Sequence, residues 1–215
     1  MSKIAHIIAI RAASLGDLGF GISHQPDDVG HIFAEGEVWI GPRPKLEVDF
    51  DFVQPIPYIV IRDGKNVLVY QRGASGGDAR LHAKASIGFG GHVDGSDAVY
   101  DADGVIDLRA TMQTACIREL EEELGISLLR LSDEQRAGLC NWAAVISSAA
   151  SDVDKVHVGL VAVIDVQALP GIDPAKFEDV IENARWAAPQ ALVLGAAAGD
   201  ITLETWTDLV LRHPF

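Results

Sequence analysis

An α/β fold is predicted by three features of the 215-residue chain. Short apolar runs rich in Val, Ile and Tyr, such as YIVI, NVLVYQ and VHVGLVAVIDV, have the composition and length of strands. Between Asp107 and Leu124 the side chains of Leu108, Met112, Cys116, Leu120 and Leu124 recur at every fourth position, the spacing of one helix face. Strand-like and helix-like segments intermix without the regular alternation of a doubly wound sheet. With 48% hydrophobic residues the chain can bury a sizeable core.

Residues 1–52 hold two short apolar segments, IAHIIAI and EVWIG, separated by Gly, Pro and Asp, and show no helical period. This predicts a small β-rich N-terminal extension. IAHIIAI is far shorter than the roughly 18 apolar residues a bilayer span takes, and with His6 inside it and Arg11 directly after, it fits a first strand better than a signal peptide. A second domain is expected over 53–215, punctuated early by Pro55 and Pro57. YIVI and NVLVYQ flank RDGK, whose Asp63-Gly64 pair signals a hairpin turn. A short strand is expected at Ala85–Phe89, followed by Gly90 and Gly91, where backbone can turn sharply or approach a ligand. Asp107 is the expected N-cap of the following helix and Gly125 its C′ residue. Beyond it the sequence predicts strands at AAVISS and VHVGLVAVIDV, a helix near Trp186–Gly195 and an amphipathic helix around Leu203–Leu211.

Lys and Arg number 17 against 31 Asp and Glu, a formal charge of -14. Such a surface repels polyanions, which excludes nucleic-acid polymers as partners, and no apolar run suits a membrane. Small phosphorylated ligands remain open, because a few carboxylates can hold cations that neutralise phosphate locally. The two cysteines, Cys116 and Cys140, have no metal-ligand spacing and predict reduced thiols in a cytoplasmic setting.

The segment CIRELEEELGI places Glu119, Glu121, Glu122 and Glu123 in the last turns of the periodic helix. A solvated acidic face is the simplest account of such a run, and its energetics oppose it. Like charges at i,i+3 and i,i+4 cost about 0.2–0.5 kcal/mol per pair, and carboxylates near a helix C-terminus about 0.3–1 kcal/mol. Glu119, Glu122 and Glu123 share one side of the helix while Glu121 points elsewhere, toward solvent. Three carboxylates so placed can converge on a hard cation, Mg²⁺ or Mn²⁺, with Leu120 and Leu124 anchoring the opposite side.

Arg118 to Ile126, RELEEELGI, matches the signature REUXEEXGU at every constrained position, U being a bulky aliphatic residue, and so resembles the Nudix hydrolases. The preceding Gly-Gly agrees with the first half of that signature, in which a Gly is followed after five residues by Glu. Counted from Gly91, that position holds Asp97, and 20 residues separate Asp97 from Arg118 where the signature has seven, an insertion of about 13 near 98–110. Anchoring on Gly104 keeps the spacing and puts Ala110 at the Glu position. The Gly91 anchor is preferred, because GFGGHVDG resembles the family's strand and loop.

The resemblance implies an α/β/α sandwich with a mixed sheet, and hydrolysis of a diphosphate bond in a nucleoside diphosphate linked to another moiety, with Mg²⁺ or Mn²⁺. It implies Glu119, Glu122 and Glu123 as metal ligands, with the Gly90 carbonyl as a further ligand. The general base would be Glu119, or else Glu122. His157 is a less favoured outside contributor, since a His between valines on a strand is more often packed or hydrogen-bonded. Arg118, Gly91, Asp97 and Gly125 would support the site. Arg72, Arg80 and Lys84 lead into the Gly-Gly turn and suit substrate phosphates, although solvated loop charges are an equal account. Trp39, Trp142 and Trp186 could stack on a base or pack as core and rim aromatics. The expected partner is a small phosphorylated substrate, and a homodimer stays open. Two alternatives stand beside catalysis. One is a ligand-sensing module on the same fold. The other is an enzyme like isopentenyl-diphosphate isomerase, which would want an active-site cysteine where Cys116 lies on the leucine side of the helix.

Overall fold

The computed structural model describes residues 5–73 and 83–213. The chain opens with β1 (His6–Arg11), α1 (Ala12–Leu15), β2 (Gly21–Ser23), α2 (Pro26–Glu35), β3 (Val38–Pro42) and α3 (Arg43–Leu46). It continues through β4 (Phe52–Asp63), β5 (Asn66–Arg72), β6 (Ala85–Ser86), β7 (Gly88–Phe89) and the long α4 (Leu108–Leu124). Then follow α5 (Asp133–Ala137), β8 (Asn141–Ser147), α6 (Asp152–Lys155), β9 (His157–Asp165), β10 (Ile181–Ala187), α7 (Pro189–Ala198) and α8 (Thr205–Arg212). The result is a mixed α/β architecture, as the sequence predicts, with ten strands in its sheet among the described residues.

Two compact units divide the chain, and β4, α4 and β9 each contribute residues to both. The first gathers Met1–Tyr58, Gly91–Cys116 and Trp142–Val161; the second gathers Ile59–Gly90, Ile117–Asn141 and Ala162–Phe215. The expected boundary at residue 52 does not coincide with this division.

In the first unit β1 pairs antiparallel with β3, Ile8 opposite Ile40, and with the start of β4, Ile10 opposite Val53. Alternation along β1 sends Ile8 and Ile10 into a core with Val29, Ile32, Leu108, Met112 and Val158. Ile7 and Ala9 are buried on the other face beside Leu46 and Phe52. Burial on both faces explains why the strand reads as an unbroken apolar run. The region is less β-rich than expected, because α2 occupies ten of its residues. Pro26 opens that helix, Asp27 and Asp28 complement its dipole in the first turn, and only Val29 and Ile32 are fully buried, too few to show a period in sequence.

In the second unit β4 and β5 form the expected hairpin, with Arg62 opposite Val67 and Asp63 opposite Asn66. Gly64 turns it at φ 56°, a conformation that favours glycine. β5 also pairs with β6 and with β10, where Trp186 faces Leu68. Trp186 therefore lies in a strand rather than in the helix expected there. Pro189 begins α7, and the residue before it, Ala188, is extended at ψ 134° as its proline neighbour requires.

The expectation of reduced thiols is overturned, for Cys116 and Cys140 are both disulfide-bonded. Separation along the chain carries no information about separation in space. Among the described residues no helix is long and apolar enough to cross a membrane.

Candidate active site

α4 is built as its sequence suggests. The Asp107 side chain accepts a hydrogen bond from the Ala110 N–H (3.0 Å), capping the helix N-terminus. Leu108, Met112, Cys116, Leu120 and Leu124 are all buried. At the other end Gly125 has φ 59°, and a Cβ there would stand 2.3 Å from the Lys176 carbonyl oxygen, so only glycine fits. The inserted segment forms a small loop closed by a bridge between Tyr100 and Ile106, with the Asp101 carboxylate accepting from the N–H groups of Asp103 and Val105.

The glutamates have distinct surroundings. Glu119 and Glu123 are buried, with 8% and 5% of their surface exposed, whereas Glu122 is open to solvent. Arg118 supplies the basic partner the acidic run needs: its Nη1 stands 2.8 Å from Glu119 Oε1 and 2.9 Å from Glu122 Oε2. Glu121 departs from its expected solvent position, and its Oε1 accepts from the Leu128 N–H at 2.7 Å, tying down the chain as it leaves the helix.

Glu123 Oε2 accepts a 2.7 Å hydrogen bond from the Gly90 N–H, and the Glu178 N–H donates to the Glu123 carbonyl oxygen (3.0 Å). Gly90 itself has φ 133°, which a side chain rarely adopts. Burial pushes the Glu123 carboxyl up to about 8, and the Glu119 and Glu178 charges add to the rise. Arg72 and the Gly90 N–H oppose it. Two buried, mutually repelling carboxylates are the donor chemistry a hard divalent cation relieves. The side chains do not yet converge: among the described residues no three His, Cys, Asp or Glu groups are arranged around one metal position. Arg118 and the Gly90 N–H hold the carboxylates instead.

The other expected site residues have partners of their own. Arg72 is committed to Glu204, Nε to Oε1 at 2.9 Å, and its guanidinium lies 5.6 Å from the Tyr70 ring centre. Lys84 is half-buried and its carbonyl accepts from the Arg72 N–H. Arg80 lies outside the described residues. Asp97 is buried and accepts from the Asp94 N–H (2.9 Å), closing a capping box on the turn that follows Gly91. Trp39 and Trp186 are exposed on strands, and Trp142 packs edge-on against Phe33 at 5.9 Å.

His157 meets a partner that sequence reading missed, its Nε2 lying 3.1 Å from His92 Nε2 while its Nδ1 faces the Val153 carbonyl at 2.7 Å. Burial pushes His92 down to about 3, helped by the nearby Arg43 and His157, and burial likewise lowers His157. Both rings are therefore neutral near pH 7. Glu204 and Tyr70 were also missed, and sequence carried no signal for them, because Glu204 meets Arg72 from 132 residues away.

No family model matches the chain. Protein YmaB of Bacillus subtilis (strain 168) is 32% identical over 171 residues, 79% of this chain and 74% of that protein. The crystal structure of Tm1382, assigned as a Nudix hydrolase, superposes with a TM-score of 0.69 at 22% identity, covering 96% of each chain. A Nudix hydrolase structure from Alicyclobacillus acidocaldarius is more distant, with a TM-score of 0.48 and 17% identity over 74% of this chain and 90% of its own. The chain is thus a relative of protein YmaB and has the fold of the Nudix hydrolases.

Proposed function

We propose that the protein is a divalent-cation-dependent hydrolase that cleaves the diphosphate bond of a small phosphorylated compound, a nucleoside diphosphate linked to another moiety. The observation that carries this reading is the pair of buried carboxylates, Glu119 and Glu123, set beside the exposed Glu122 on one side of α4. Burial sharpens the repulsion between neighbouring acids, and a cation is the partner that would relieve it. Glu119, Glu122 and Glu123 would hold Mg²⁺ or Mn²⁺, with the Gly90 carbonyl as a further oxygen. The bound cation would neutralise phosphate charge and make water easier to ionise.

The chain's own residues then divide the work. The Gly90 N–H fixes Glu123 Oε2, so the other carboxylate oxygen is the one left for the cation. Arg118 holds Glu119 and Glu122 in register until substrate arrives. Glu119, or else Glu122, would take the proton from the attacking water. Arg72, Arg80 and Lys84 remain the candidate phosphate contacts, and Arg72 would act from within its Glu204 pair.

The test is a panel of dinucleotides, nucleotide sugars and nucleoside triphosphates incubated with Mg²⁺ or Mn²⁺, comparing the natural protein with Glu122→Gln and Glu123→Gln. Turnover of one class that either substitution suppresses supports the hydrolase. No turnover, or turnover indifferent to both substitutions, refutes it, and tight binding without turnover would make the protein a ligand sensor.

A further inference from the structure

The strand leading into Gly90 is interrupted. β6 ends at Ser86 and β7 begins at Gly88, so Ile87 stands between two ladders, fully buried. A buried backbone N–H needs a partner, and here it is a side chain from the last helix. The Thr207 Oγ1, itself fully buried on α8, accepts from the Ile87 N–H at 3.2 Å.

The next peptide is held the same way. The Gly88 carbonyl accepts from the Tyr70 hydroxyl at 2.7 Å, and the Gly88 N–H donates to Ser86 Oγ at 3.2 Å. α8 is fastened to this strand at a second point, since the Glu204 N–H donates to the Ala85 carbonyl (3.0 Å) while the Glu204 carboxylate holds Arg72. Two residues beyond Gly88, the Gly90 N–H reaches Glu123.

We propose that Thr207 is a positioning residue for the active site, its hydroxyl setting the path of residues 87–90 and so the aim of the Gly90 N–H at Glu123. This rests on the hydrolase reading for its kinetic consequence and not for its structural one. Thr207 touches no reacting atom, and its effect runs through the backbone. Outer contacts of this kind govern how closely ligand side chains keep their geometry.

The test compares Thr207→Val, which keeps shape and removes the acceptor, with Thr207→Ser, which keeps the acceptor. With a substrate from the panel above and Mg²⁺, kcat of Thr207→Val is expected to fall about 10–100-fold with KM unchanged, as for other outer contacts, and Thr207→Ser to stay near the natural value. In the metal-free protein the Gly90 amide, followed by NMR hydrogen exchange, is expected to exchange faster in Thr207→Val alone. Should Thr207→Val fail to fold, Tyr70→Phe makes the same test through Gly88. An unchanged Gly90 exchange rate, or a loss of kcat shared equally by Thr207→Ser, overturns the inference. If the natural protein turns over nothing, the hydrolase reading falls and Gly90 exchange alone decides this one.

Discussion

The Gly90 N–H donates a 2.7 Å hydrogen bond to Glu123 Oε2, joining the glycine loop to a carboxylate 33 residues later in the chain. The bond survives if Glu123 becomes neutral, while a cation needs the charge. Glu123→Gln is accordingly expected to reduce turnover at least about 100-fold, since several kcal/mol of charge stabilisation would be lost with the cation. Above pH 8, where the Glu123 carboxyl is ionised, the variant's melting temperature without metal should match or exceed that of the natural protein, because an unfavourable buried charge is removed. A large fall in melting temperature would show that Glu123 serves the fold rather than the cation.

Arg118 bridges Glu119 and Glu122 where the carboxylates would otherwise repel. Arg118→Ala should cost about 0.5–1 kcal/mol in stability, the scale of a part-exposed pair plus an i,i+4 pair. The loss should be larger in EDTA than in Mg²⁺, because the cation can take over the neutralising role. Urea unfolding in the two buffers measures the difference, and equal losses would argue that no cation binds these glutamates.

His92 and His157 face each other as neutral rings, 3.1 Å between their Nε2 atoms. An imidazole held at about 3 in the folded chain, against 6.5 ordinarily, binds fewer protons folded than unfolded between those values. Its contribution to stability is complete above pH 6.5 and is lost as pH falls toward 3. His157 is shifted in the same direction and adds to the effect. His92→Gln should therefore flatten the decline of stability with acid over this range. Urea midpoints taken from pH 7 downward test this, and parallel curves for the two proteins would count against it.

Gly125 ends α4 at φ 59° against the Lys176 carbonyl. Gly125→Ala combines a left-handed backbone with a Cβ 2.3 Å from that oxygen, and backbone strain alone costs on the order of 1–3 kcal/mol. Thermal unfolding of Gly125→Ala should show at least that loss, whereas Gly64→Ala, where φ is 56° and nothing lies within 4 Å of the added Cβ, should lose less.

The elements read correctly from sequence are those that rest on local periodicity. Five apolar residues at every fourth position defined the buried face of α4, Asp107 and Gly125 marked its ends, and Asp63-Gly64 marked the hairpin. Arg118, expected to support the site, is also legible as an i,i+4 partner of Glu122. α2 and β10 were missed because a short helix with two fully buried residues leaves little pattern, and because Pro189 decides only where a helix starts.

By itself the sequence determined that one helix side carries three carboxylates opposite a leucine stripe, since helical geometry converts spacing directly into direction. Only the tertiary structure decided which of those carboxylates are buried and what holds them. Glu123 meets Gly90, Arg72 meets Glu204, Ile87 meets Thr207 and His92 meets His157 across 33, 132, 120 and 65 residues. Such meetings depend on how the whole chain packs, and no local period encodes them.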